Sequence, residues 1–573
     1  AATTSPLETN TVAGSIRLDW NLSPTQALFG RWAIQDREDR NPANTFLGGN
    51  LPTLGAAGVD RPQTATLNYT KVFSPSLVWN ALASFSRNRP SYTPLESFGG
   101  PLVQFQDGTS SLGTIWILPQ GRVQNSYQYL NTLTHTRGTH TLKAGYDLNR
   151  VQANSFFDNN VRGTLTFASF NAFASGQPAL FSQRFGNSVR GHRVWGQALF
   201  LQDDWRITRY LTLNAGLRLE TNGGVTEVNG INSNLNLNRQ ESLGSAGTGA
   251  LGGIDVGGAT YDTNYNWGPR FGFAWNPRGG RTAIRGGYGI AYDFLYLNPI
   301  ANVRTAPPFM YQFSNTAFTG ADTFANIIAG TSAFQRNGYA TVGSYAPGIR
   351  NFGSFSPVDQ ALRNPQTQQW SLTVEREWQG TLWRASYIGT KTNYLQRTRP
   401  LNVLPANLRV AAASLDDERQ LIASGRLAQL NAGLNAPATG QGLRLDPRFN
   451  AVNLLESSAN SNYHGLQLWA QRRFAKGLAF TAAYTWSKSI DDVSDALGVL
   501  SNDTHNQQNP FNNRDNRALS AFDVPHRLAL THVWELPWFK SSRFKQALAG
   551  WSVNGLFQAQ AGRAGRFETH RIC

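Results

Sequence analysis

The residues able to do acid–base or metal chemistry are few and poorly grouped. The acidic clusters are Asp203–Asp204, Asp416–Asp417–Glu418 and Asp491–Asp492. Paired carboxylates can exchange protons or hold calcium. Neighbours on a strand point to opposite faces, so Asp203 and Asp204 do not act as a pair. Asp491–Asp492 opens a long polar stretch, where an ion contact and a plain solvated loop are both open readings. His526 and His532 share a strand face but stand roughly 20 Å apart, too far to share a metal. The glycine-rich GSAGTGALGGIDVGG (244–258) lacks the Gly-Lys-Ser/Thr ending of a phosphate loop and reads as a flexible loop. The single cysteine is the terminal Cys573, which excludes a disulfide scaffold and a cysteine metal site. No nucleophile–base arrangement is found. The chain is expected not to be an enzyme, with no catalytic, metal or cofactor residue assigned.

The elements that must position any other chemistry are strands. Charged residues make up 15% of the 573, and glycine is abundant at 55. That composition disfavours helices and suits strands and loops. No run approaches eighteen consecutive apolar residues, so no transmembrane helix is expected. The N-terminal AATTSPLETN has neither a basic nor an apolar signal region. The net charge of +16 raises nucleic-acid binding. The arginines are spread along the chain, with no basic run and no zinc or helix-turn-helix pattern, so no nucleic-acid partner is expected. Arginines on polar strand faces, or an anionic membrane surface, account for the charge.

FLQDDWRITRYLTLNAGLRLE (200–220) shows the pattern most clearly. Leu211, Leu213, Leu217 and Leu219 share one face of a strand; Asn214, Arg218 and Glu220 share the other. The alternation recurs in SIRLDWNL, TATLNYTKVF, GLQLWAQRRF and LAFTAAYTWSKS. Tight turns join the hairpins at Ser23–Thr25, Ser74–Ser76, Arg137–Thr139, Thr208–Tyr210, Gly279–Gly280, Gln379–Thr381 and Ala475–Gly477. The other connections are long, near 37–62, 88–122, 151–190, 221–267, 293–367, 392–461 and 489–524. A soluble sandwich has no reason for strict alternation of short and long connections. An outer-membrane barrel has one: short periplasmic turns and long extracellular loops. The expected fold is an all-β, transmembrane, antiparallel up-and-down barrel of about seventeen strands, each spanning about nine to eleven residues. Its Leu211, Leu213, Leu217 and Leu219 face lipid; its Asn214, Arg218 and Glu220 face the lumen. Trp20, Trp32, Trp205, Tyr210, Trp378, Trp383 and Trp486 lie near strand ends, where interfacial girdles form. Within the loops, residues 405–435, which contain LDDERQLIASGRLAQL with Ser414 as cap and Asp417 three positions on, and ADTFANIIAG (321–330) are helical candidates.

ALFLQDDWRITRYLTLNAGLRLE, GPRFGFAWNP, TAIRGGYGIAYD, NPQTQQWSLTVERE, RRFAKGLAFTAAYTWSKSIDD and FDVPHRLALTHVWELPW together resemble TonB-dependent outer-membrane receptors. The resemblance is to the Oar-like branch, whose members often carry a carboxypeptidase-regulatory-like domain. It implies a barrel of about 22 strands, a plug inside it, and uptake energised by the TonB complex. The family's plug, TonB box and regulatory-like domain are not found. The first strand also runs down toward a short turn, and the chain stops after an upward strand. Residues 1–562 are therefore expected to be a partial barrel without its plug, and 563–573 an irregular tail, for which an out-of-frame ending is one reading. With both ends cut, the strands near 12–22 and 550–560 are expected to be sheet edges.

The implied setting is the outer membrane, with lipid and lipopolysaccharide against the barrel. The implied partners are the TonB complex, through a missing N-terminal region, and a small nutrient ligand of unknown identity. Tyr261, Tyr265 and Trp267 are loop aromatics that could stack on a sugar; loop packing explains them equally. A passive porin-like channel, and a secreted β-rich adhesin or carbohydrate-binding protein, remain as alternative readings.

Overall fold

The computed structural model describes residues 8–41, 55–95, 100–239, 251–277, 280–315, 318–320, 322–330, 353–402, 446, 448–449, 451–495, 509–537 and 550–562. Sixteen long strands run in chain order. They are β1 (Glu8–Ser23), β2 (Gln26–Asn41), β3 (Gln63–Ser74), β4 (Leu77–Asn88), β5 (Gln120–Arg137), β6 (His140–Phe157), β7 (Arg190–Thr208) and β8 (Leu211–Asn222). Then come β9 (Asn264–Trp275), β10 (Thr282–Tyr292), β11 (Gln366–Trp378), β12 (Thr381–Pro400), β13 (Asn453–Ala475), β14 (Leu478–Asp491), β15 (His526–Glu535) and β16 (Ser552–Gln560). Each pairs antiparallel with the next, from β1–β2 through β15–β16. The meander matches the up-and-down order expected from the alternation. Among the described residues β1 pairs along its length only with β2, and β16 only with β15, so these two are the edges of the sheet.

Local chemistry explains the tight turns. At Gln379–Gly380 and at Lys476–Gly477 both residues have positive φ, the backbone a two-residue type I′ hairpin requires. Ser23 Oγ accepts from the Thr25 amide at 3.2 Å, and Ser74 Oγ from the Ser76 amide at 3.3 Å. The same side-chain turn recurs where Thr208 Oγ1 accepts from the amides of Tyr210 and Leu211. One connection departs from the expected alternation: 536–551 is longer than the other turns at its end.

Most of the strands are also longer than a bilayer needs, while β10, β15 and β16 keep to the expected span. The longest, β13, has 23 residues, against about nine to eleven for a tilted crossing. The excess lies at the long-loop end, where the strands rise into a layer of packed connections. That layer holds a four-stranded sheet (Leu102–Phe105, Thr164–Phe167, Leu180–Gly186, Met310–Asn315) and a two-stranded one (Ser233–Asn236, Gly253–Val256). Part of the glycine-rich segment is therefore a paired strand rather than a flexible loop. A short helix, Phe324–Ile328, capped by Thr323, falls within the second helical candidate. The candidate at 405–435 and the tail at 563–573 lie outside the described residues. No described helix is long and apolar enough to cross a membrane.

Candidate ligand site at the long-loop end

The two faces of the sheet differ as the period-two pattern requires. One carries exposed apolar side chains, including Ile16, Leu18, Trp20, Leu199, Leu201, Leu217 and Phe271. The other is polar and linked strand to strand. Arg218 Nη2 lies 3.2 Å from Asp147 Oδ2, and Arg218 also pairs with Glu220. Asp147 Oδ1 accepts from Gln128 and Asn149, both at 3.0 Å. Asn214 and Gln202 donate to Asp204 Oδ1. Farther along, Glu375 takes Arg285 on one oxygen and Arg384 on the other, each at 2.6 Å. Asp203 sits on the opposite face from Asp204 and pairs with His140 at 2.7 Å, so the two carboxylates do stay apart.

This polar face leads up to the loop layer. There Val225, Ile300, Val303, Val358 and Leu362 are fully buried in one cluster; Phe355, Phe449 and Val452 anchor a second. The layer also buries charge. Arg397 and Arg399 share Glu456, at 3.2 and 2.7 Å, and Asp446 pairs with Arg448 at 2.7 Å. Burial pulls the Arg397 guanidinium below its ordinary range, against the opposing pull of Glu456. His192 is 1% exposed and its Nε2 lies 3.2 Å from Asn232 Oδ1. Burial holds its pKa down to about 4, with Arg304 and Arg190 acting in the same direction. A tilted crossing counted from the turn at 209 uses roughly the last ten residues of β7. Arg190 and His192 therefore lie beyond that span, at the long-loop end of the strand.

The three aromatic candidates do not converge. Tyr261 is 3% exposed, packed into the first cluster, and burial raises its hydroxyl pKa. It is a core residue, with no ring face free for a sugar. Tyr265 and Trp267 belong to β9 rather than to a loop. They pair with Thr221 and Leu219, which puts them on the face of Leu217 and Leu219. Asp491 accepts from Ser494, and Asp492 takes Arg517 and the Asn460 amide. Asp416–Asp417–Glu418 lie outside the described residues. Among the described residues no group of three or more His, Cys, Asp or Glu side chains could hold a metal. Sequence reasoning missed Arg190 and His192. The available signal was RGHRVWG (190–196), which places both on one strand face next to an apolar core position.

The fold recurs in solved structures. Copper transporter OprC is 11% identical, with 98% of this chain and 61% of that one covered and a TM-score of 0.50. The outer membrane transporter YddB from Escherichia coli is 9% identical over 97% and 62%, with a TM-score of 0.54. The ferric enterobactin receptor PfeA from Pseudomonas aeruginosa, solved as a single-site variant, is 10% identical over 93% and 55%, with a TM-score of 0.50. At such identities the likeness is one of fold. The chain spans about 60% of the length of the first two. No protein of curated function matches it in sequence. The family described as outer membrane beta barrel domain matches residues 1–569, and the chain belongs to that family, a β-barrel of the outer membrane.

Proposed function

We propose that the protein is the barrel of a TonB-dependent receptor of the Oar-like branch, taking up a small nutrient ligand across the outer membrane. The observation that carries this reading is the folded loop layer at the long-loop end of a polar-faced sheet. An open porin needs a clear aqueous path; a receptor needs ordered side chains at the mouth to recognise a ligand. The named functions of OprC and PfeA, a copper transporter and a ferric enterobactin receptor, support uptake as the role. In this reading the long loops are extracellular and the short turns periplasmic. Leu211, Leu213, Leu217 and Leu219 face lipid, with lipopolysaccharide against the outer wall. Asn214, Arg218 and Glu220 face the lumen. The plug and the TonB contact belong to a region ahead of the barrel, as the resemblance implies.

The test is planar-bilayer conductance of the full-length protein purified from outer membranes. A receptor is expected to hold the bilayer closed, and its periplasmic side to crosslink to TonB. A steady ohmic conductance without any energy source would replace this reading with a passive channel.

A further inference from the structure

Three arginines converge on one serine at the mouth of the barrel. The register pairs Arg122 on β5 with Ser155 on β6, and Ser155 with Arg190 on β7. Directly opposed residues share a face, with Cβ atoms about 5 Å apart, so Arg122 and Arg190 flank Ser155 on that face. The third arginine comes from above. Arg304, in the 3-10 turn Ala301–Thr305, donates through Nη1 to Ser155 Oγ at 3.0 Å. These positions have the same strand parity as Gln128, Asp147 and Asp204, so they line the polar inner face rather than the lipid face.

The cluster has more donors than partners. Arg190 is 1% exposed and Arg304 is 6% exposed. Arg122 Nε, Arg190 Nε and Nη2, and Arg304 Nε are all buried with no hydrogen-bond acceptor among the described residues. Arg190 spends Nη1 on the carbonyls of Asn187 and Val189. Two guanidiniums lie over rings, Arg190 over Phe309 and Arg304 over Phe157, near 5 Å. Such stacking is attractive but supplies no negative charge. Glu227 is the carboxylate whose field reaches Arg190. Its Oε1 accepts from the amide of Gly191 and its Oε2 from the amides of Asn229 and Ile231. Burial and the other two arginines pull Arg304 down to a pKa of about 10, so it stays charged at neutral pH. Buried cations with free donors are costly unless an anion meets them.

We propose that Arg122, Arg190, Arg304 and Ser155 form a binding site for a phosphate-type oxyanion, free or carried by a larger solute. Guanidinium forks match tetrahedral oxyanions in geometry and charge, and the serine hydroxyl adds a neutral partner. The proposal deepens the receptor reading by naming a ligand chemistry at the mouth. Its binding test does not depend on transport, so the two readings fail separately.

The experiment is calorimetric titration of the full-length protein in detergent with inorganic phosphate and with glycerol 2-phosphate, at fixed ionic strength in chloride. Hydrogen exchange over residues 297–306 is followed in parallel. Phosphate is expected to bind and to slow exchange there at least tenfold. Binding of the phosphomonoester as well would assign the site to a solute headgroup; binding of inorganic phosphate alone would assign it to the free ion. Arg304→Gln is expected to abolish binding while slowing exchange in phosphate-free buffer, because one uncompensated charge is gone. Ser155→Ala, the milder change, is expected to weaken binding with the layer still folded. No binding of either probe to the wild type, or undiminished binding to folded Arg304→Gln, would overturn the site.

Discussion

Arg218 on β8 reaches across β7 to Asp147 on β6, with Nη2 3.2 Å from Oδ2. The strand between them is passed because Ala198, which pairs with both Asp147 and Glu220, is small and buried. The contact ties three strands together on the polar face and leaves Glu220 as the second acceptor. A half-buried, doubly accepted arginine is worth more than an exposed pair. Asp147→Ala is expected to destabilise the folded barrel by about 1–3 kcal/mol. Urea unfolding in vesicles, run as a double-mutant cycle with Arg218→Ala, should give a non-zero coupling. Simple additivity would show that the two side chains do not interact.

Gly145 makes a second, purely steric prediction. A Cβ there would stand 2.5 Å from the Asn131 carbonyl oxygen and closer still to the Phe200 ring. The ring can rotate, but the neighbouring strand cannot move without breaking the ladder. Gly145→Ala is expected to cost about 1–3 kcal/mol, read as a lower urea midpoint. Gly14, with nothing within 4 Å of the same atom, is the control and should tolerate alanine.

The polarity of the two faces can be tested on one strand. Leu217 is 45% exposed on the apolar face, and Asn214 lies on the polar face bonded to Asp204. If the apolar face meets lipid, Leu217→Arg should cost about 2–4 kcal/mol in a bilayer. Asn214→Arg keeps Asp204 as a partner and should cost far less. Equal penalties in vesicle unfolding would contradict the assignment of Leu217 to lipid and Asn214 to the lumen.

His192 predicts a pH dependence of the loop layer. Its pKa falls from an ordinary 6.5 to about 4, first through burial and then through the charges of Arg304 and Arg190. Between those values the opened layer takes up a proton that the packed layer refuses. The stabilisation is therefore complete above about pH 6.5 and is lost as the pH drops toward 4. The full loss is of the order of 3 kcal/mol. Hydrogen exchange near Asn232 should accelerate over that window beyond its intrinsic pH trend. His192→Asn should flatten the response; an unchanged profile would assign it to another group.

The sequence by itself determined the sheet. A period of two with one apolar face admits few packings, and turns such as Gln379–Gly380 set the register locally. The opposition of Leu217 to Arg218, and of Asp203 to Asp204, follows from backbone pleat alone and needed no tertiary information. The loop layer was different. Tyr261 reads as an exposed loop aromatic, yet it is a core residue because Ile300 and Val358, distant in sequence, close over it. Gly253–Val256 reads as flexible, yet it pairs with Ser233–Asn236. Arg304 carries no motif at all. It meets Ser155 only because the turn holding it folds back onto β6. Strand periodicity is a local property and is written in adjacent residues. The meeting of Arg304 with the Ser155 hydroxyl depends on a contact between residues more than a hundred positions apart, and only the tertiary structure decides it.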